Sequence, residues 1–256
     1  MRKTSRVAIA IGGVLCLAAL SVGLLVTGMA LGKQYQINLQ CCLIPSKVGN
    51  VLLSAQELAG LKTFYSQIGQ DKWVSETVFP GVTDGFFVDV GSADGTKSSN
   101  SRALEAKGWT GICVDPFPTN MEGRTCRMVK DPVYSTSGQK VTFQAPGGFG
   151  ADSFGHIDAQ PNAKDPTVEL TTITLADILA RANAPRFIHY LSMDIEGAEL
   201  DALRGFPFDT YRLGAINLEH NFEEPKRTEI LELLKLHGYI RIHTWLQDDF
   251  YVPAQR

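Results

Sequence analysis

The chain of 256 residues has no basic run and a formal net charge of −3, so it lacks the field needed to release counterions from nucleic acid. Nucleic acid is not an expected partner. Its five cysteines include no Cys-x-x-Cys pair and no Cys/His set at zinc spacing, which excludes a disulfide scaffold and a structural zinc site. There is no Gly-x-Gly-x-x-Gly, so the usual pyrophosphate cradle is missing. No tyrosine is followed four residues later by lysine, as a short-chain oxidoreductase would require, and no Asp-x-Asp is available to hold a nucleotide sugar's metal. No Asn-x-Ser/Thr sequon offers an N-glycan acceptor. Charged residues are only 20% of a chain that is 44% hydrophobic, which excludes disorder and leaves a globular domain as the expectation.

The hydrophobicity is concentrated at the start. Val7 to Gly32 carries no charge, and at about 1.5 Å per residue it is long enough to cross a hydrocarbon core of about 30 Å. Arg2, Lys3 and Arg6 precede it and Lys33 follows, so the positive-inside rule places the N-terminus in the cytoplasm. The expected layout is a cytoplasmic tail at 1–6, a transmembrane signal-anchor at 7–32, a stalk at 33–53 and one domain at 54–256. That layout predicts a single-pass type II membrane protein with an extracytoplasmic or lumenal domain. A cleaved signal peptide ending near Gly28-Met29-Ala30 is the alternative, but the apolar run exceeds the roughly 7–15 residues usual for one. Cys113 and Cys126 read as two buried free thiols, with a disulfide between neighbouring strands as the alternative in an oxidising compartment.

Leu58, Leu61, Phe64 and Tyr65 recur at helical spacing behind a possible N-cap, Ser54, and predict a leading helix. Phe86–Val90 and Gly111–Asp115 are short apolar runs closed by punctuating residues, and Ser101–Lys107 between them is helical in composition. Strand, glycine loop, helix and strand within about 30 residues make a βαβ unit. The alternation continues with strands at Lys140–Gln144, Phe187–Met193 and Leu213–Leu218 and helices at Leu175–Ala182, Ala198–Arg204 and Lys226–His237. Tyr239–Thr244 and Phe250–Val252 read as a terminal antiparallel hairpin turning at Gln247-Asp248-Asp249. The class is α/β: a mostly parallel, doubly wound sheet with ligands at the strands' C-terminal ends.

The first strand runs into Asp89-Val90-Gly91-Ser92-Ala93-Asp94-Gly95. An acid at the start of such a loop repels phosphate and suits a ligand with an amino group, such as S-adenosylmethionine. Asp115, at the end of the second strand, can accept both hydroxyls of a ribose. Together with Ser66-Gln67-Ile68-Gly69-Gln70-Asp71, Ser99-Asn100-Ser101, Gly108-Trp109-Thr110-Gly111, Ser192-Met193-Asp194-Ile195-Glu196-Gly197-Ala198-Glu199 and Leu218-Glu219-His220-Asn221, these segments resemble the FkbM-type methyltransferase family. The resemblance runs from about Ser66 to Val252 and is loose over Phe117–Thr171.

The resemblance implies a Rossmann-like class I fold and S-adenosylmethionine-dependent methyl transfer, most often to a hydroxyl of a sugar or natural product. It implies that Asp89, Gly91 and Gly95 cup the methionine end, that Asp115 holds the ribose, that Asn100 marks the following helix, and that Gln70 and Asp71 close the site. Trp109 reads as core rather than as an adenine stacker.

Asp194 and Glu196, at the end of a central strand, are candidate catalytic acids, and His220 is a candidate general base. Asp194, Glu219 and Asn221 are candidate ligands for Mg²⁺ or Mn²⁺, similar to catechol-type O-methyltransferases, although His220 interrupts the acid-Asn pair. The expected partners are a glycan acceptor and a membrane. A membrane-anchored glycosyltransferase and a tethered module without turnover are the competing readings.

Overall fold

The computed structural model describes residues 64–144, 156–157 and 167–255. The expected anchor, the stalk and the Ser54 end of the leading helix lie outside these residues. Among the described residues no helix is long and apolar enough to cross a membrane.

Chain order begins with α1 (Gln70–Lys72), which runs into a π-helical turn at Trp73–Val78, then β1 (Phe86–Val90), α2 (Arg102–Ala106), β2 (Thr110–Val114) and β3 (Arg127–Val129). Next come β4 (Lys140–Gln144), β5 (His156–Ile157), β6 (Thr167–Thr171), α3 (Leu175–Ala182) and β7 (Phe187–Met193). The chain closes with α4 (Glu199–Arg204), β8 (Arg212–Glu219), α5 (Lys226–Leu236), β9 (Tyr239–Trp245) and β10 (Asp248–Pro253).

Seven strands form the main sheet in the order β3-β2-β1-β7-β8-β10-β9, parallel from β3 to β8, with β10 antiparallel between β8 and β9. The expected mostly parallel sheet with a terminal hairpin is what forms. The expected Lys140–Gln144 strand forms but lies in a separate antiparallel sheet, β5-β4-β6, outside the alternation of the main sheet.

Period-two alternation divides β1 between the two faces of the sheet. Val88 and Val90 join the larger core with Leu175, Ile178 and Leu179 of α3, Leu203 of α4 and Leu234 of α5. Phe87 joins Val74, Leu104, Trp109 and Tyr190 on the other side. Thr174 caps α3 by accepting from the Asp177 N–H.

Three expectations are corrected. Phe64 and Tyr65 are not helical, and the first helix among the described residues is Gln70–Lys72. Asp248 and Asp249 belong to β10, and the hairpin turns on Leu246-Gln247 with Leu246 at φ 52°, the positive value that a tight two-residue turn favours at its first position. Cys113 and Cys126 are not free thiols: they form a disulfide with Cα atoms 5.7 Å apart, joining β2 to the residue before β3. The alternative of a disulfide between neighbouring strands is the one that forms, with β3, short and partly polar, bringing the second cysteine beside β2.

Candidate active site

The strand order reverses between β1 and β7, and the C-terminal ends of these strands converge there, the place where open α/β sheets hold ligands. The Asp194 N–H donates to Val90 O at 2.9 Å, fastening the two strand ends together. Gly91, at φ 86°, lies so close that a Cβ would sit 1.7 Å from the Asp194 carbonyl oxygen. Its need for glycine thus comes from the neighbouring strand. Gly95 faces the chain after β2, where a Cβ would meet Asn120 O at 2.6 Å and Met121 Sδ at 2.7 Å.

Asp89, Ser192 and Asn217 are register partners across β1, β7 and β8, all buried, and form a polar row under the site. Asp89 is 2% exposed and accepts from the Ser101 hydroxyl. Burial raises its pKa, opposed by Ser101 and the nearby Arg124. Asn100 Nδ2 donates to Ser192 Oγ at 2.8 Å.

Asp115 accepts the Ala93 N–H on one oxygen at 2.9 Å and the Phe117 N–H on the other at 2.7 Å. Each oxygen keeps a further lone-pair site. The same carboxylate therefore fixes the glycine loop and can still accept hydroxyl donors. Ser92 Oγ and Asn100 Oδ1 are buried without a hydrogen-bond partner among the described residues, one on the loop and one just before α2. Buried polar atoms at a loop of this kind fit a polar ligand such as the methionine end of S-adenosylmethionine.

Asp194, Glu196 and Glu219 place carboxylate oxygens within 4.8 Å of one another. Burial, followed by the charge of Glu219, holds Asp194 well above the usual carboxylate range. Glu219 is pushed up to about 7, first by burial and then by the charges of Glu196 and Asp248, while its hydrogen bond with Asp194 opposes the rise. The two acids are a proton-sharing pair. Glu196 is held at φ 53°, a left-handed conformation costly for a non-glycine residue. Asn221 Nδ2 donates to Glu219 Oε2 at 2.8 Å and to Glu196 Oε2 at 3.3 Å, so the amide's donor end faces the acids and Glu196 takes the third place in the cluster.

Asp248 was missed by the sequence reading. It is paired with Glu219 across β8 and β10, and it accepts from Gln70 Nε2 at 2.9 Å and Asn217 Nδ2 at 2.6 Å. Gln70 thereby reaches the acid cluster. Asp71 does not, because its carboxylate is consumed locally by the Tyr65, Ser66 and Lys72 N–H groups and the Ser66 hydroxyl.

His220 is turned away from the acids. Asp249, one residue past Asp248, faces the opposite side of β10, and the buried His220 ring lies against it with Nε2 3.7 Å from Oδ1. Its Nδ1 accepts the Phe222 N–H at 3.0 Å. Burial tends to raise the Asp249 pKa, but bonds from Arg227, Thr244 and Arg241 hold it down at about 2. Trp109 is core, 1% exposed, with its indole N–H on Val82 O at 2.8 Å.

No curated protein sequence matches the chain. A family model does: that of the methyltransferase FkbM domain, over residues 89–241, more than half of the chain and the whole stretch from the glycine loop into the last hairpin. The switch-point loop, the acid after β2 and the acids at the ends of β7 and β8 all lie inside that match, and the protein belongs to the FkbM methyltransferase domain family.

Proposed function

We propose that the protein is an S-adenosylmethionine-dependent O-methyltransferase whose acceptor is a hydroxyl of a sugar or glycan. One observation carries the reading: Gly91, on the loop that would hold the cofactor, packs directly on Asp194, the first of the acids that would meet the acceptor. Bound there, the cofactor supplies an electrophilic methyl group. Asp115 would hold the ribose, and Ser92 and Asn100 would contact the methionine end. Glu219, ionising near neutral pH, takes the acceptor's hydroxyl proton as the oxygen gains the methyl group, and Asp194 shares that proton. His220 is better suited to supporting the turn that carries Asn221 and Phe222.

A second reading rests on the proximity of the Asp194, Glu196 and Glu219 oxygens, which suits a hard divalent cation such as Mg²⁺ or Mn²⁺. The type II anchor at 7–32 with an extracytoplasmic domain belongs to the same proposal, and the Cys113–Cys126 disulfide supports an oxidising compartment. A glycosyltransferase is disfavoured by the absence of Asp-x-Asp.

The full chain, purified in detergent, should move labelled methyl from S-adenosylmethionine into a glycan fraction rather than into lipid or protein fractions. With an acid pair alone as base, turnover survives exhaustive chelation; complete loss, restored by Mg²⁺ or Mn²⁺, would favour the cation. Cofactor binding with no transfer into any fraction would make the chain a non-catalytic module.

A further inference from the structure

Arg124 lies in the stretch between β2 and β3, nine residues past Asp115, and its side chain is 2% exposed. Its Nε donates to Glu105 Oε2 at 2.6 Å, which fixes the guanidinium against α2. One terminal nitrogen donates to Gly95 O at 3.0 Å and to Ser99 Oγ at 3.2 Å, and the other donates to Ser101 Oγ at 2.7 Å. Arginine can only donate, so the Ser101 oxygen must accept from it and direct its own proton elsewhere. That proton goes to Asp89. One guanidinium thus grips both ends of the glycine loop, its last glycine directly and its first acid through Ser101.

Glu105 Oε1 also accepts the Thr125 and Cys126 N–H groups at 3.0 and 2.7 Å, and a covalent bond reinforces this hold. The disulfide ties Cys126, two residues past Arg124, back to Cys113 on β2, a separation of 13 residues. The enclosed segment also lies along the loop, with Gly95 N–H donating to Thr119 O and Thr119 N–H to Ala93 O. Cys113 Sγ itself is 3.3 Å from the Arg124 guanidinium. Cys113 is fully buried and Cys126 only partly so, which makes Cys126 the half of the bond a reductant would meet first.

We propose that Arg124 is a positioning residue for the cofactor loop and that the Cys113–Cys126 disulfide keeps it in place, so that the oxidation state of this bond sets cofactor affinity. Opening the bond needs a dithiol: two electrons and two protons pass to the cysteine sulfurs, and the reagent closes to its own disulfide. The freed segment would then let the guanidinium leave Gly95 and Ser101. The inference rests on the S-adenosylmethionine reading of the site.

The test is calorimetric titration of the full chain in detergent with S-adenosylhomocysteine, before and after dithiothreitol, well below the melting transition so that lost stability alone does not move the affinity. Reduction should weaken binding at least tenfold, and reoxidation with oxidised glutathione should restore it. A Cys113→Ala/Cys126→Ser variant should start weak and ignore dithiothreitol, which separates this bond from the other three cysteines. Arg124→Met should be equally weak, and Arg124→Lys, which keeps one charged donor, should recover part of the affinity. Ser101→Ala, which leaves the disulfide intact, should weaken binding severalfold even if the arginine variants fail to fold. Affinity unchanged within twofold in reduced wild type would overturn the inference, while absence of binding in the oxidised protein would instead overturn the cofactor reading.

Discussion

Gly91→Val is expected to be the most damaging single substitution in the domain, costing at least about 4 kcal/mol of stability and abolishing cofactor binding. Two effects add. The residue sits at φ 86°, which a β-branched side chain adopts only at a cost of about 1–2 kcal/mol. Its Cβ would also be placed 1.7 Å from the Asp194 backbone oxygen, which no rotamer change relieves. Either the loop lifts or β7 shifts, and both disturb the bond from Asp194 N–H to Val90 O. Gly123→Ala is the control, since Gly123 shares a positive φ of 75° but a Cβ there meets nothing within 4 Å. It should cost about 1 kcal/mol. Denaturant titration of the two variants separates strain from collision, and equal losses would mean that the β1–β7 contact is not what constrains the loop.

Glu219→Gln is expected to cut methyl transfer by about 10²–10⁴-fold, the range for losing a general base, while making the protein more stable at pH 8. The sign follows from the raised pKa. Between the unfolded value of 4.5 and the folded value of about 7, the native state keeps a proton that the unfolded chain has released, so stability falls as pH rises through that window. Above it, the carboxylate beside Asp194 and Glu196 is a standing cost. Glutamine cannot ionise, so the variant should gain about 1–3 kcal/mol at pH 8 and almost nothing near pH 4. The wild-type rate should correspondingly climb as pH rises through about 7. A variant that loses stability at pH 8, or a rate independent of pH between 6 and 8, would show that the pair does not share a proton as described.

The central acids were legible because each closes a buried apolar run: Asp89 in β1, Asp115 just after β2, Asp194 just after β7 and Glu219 in β8. Helix α3 was legible to the residue, since Leu175, Ile178 and Leu179 mark its buried face behind the Thr174 cap. Asp248 was not, because consecutive acids after Gln247 read as a turn when they are in fact the start of a strand. The same parity hid the orientation of His220, which shares Asp249's side of the sheet rather than that of Glu219. Arg124 was hidden, and the disulfide stood only as the alternative to two free thiols. Their geometry depends on β3, whose three residues carry no apolar period, in the segment where family resemblance was loosest.

Whether S-adenosylmethionine binds at the ends of β1 and β2 is measured directly by calorimetry on the full chain with wild-type and Asp115→Ala protein. Wild type should bind the cofactor, and the alanine variant, still folded by its melting curve, should bind it more weakly by about 1.5–3 kcal/mol, the scale of charge-assisted hydrogen bonds. A folded wild-type protein that binds no S-adenosylmethionine, or a folded Asp115→Ala variant that binds it as tightly as wild type, would contradict the account.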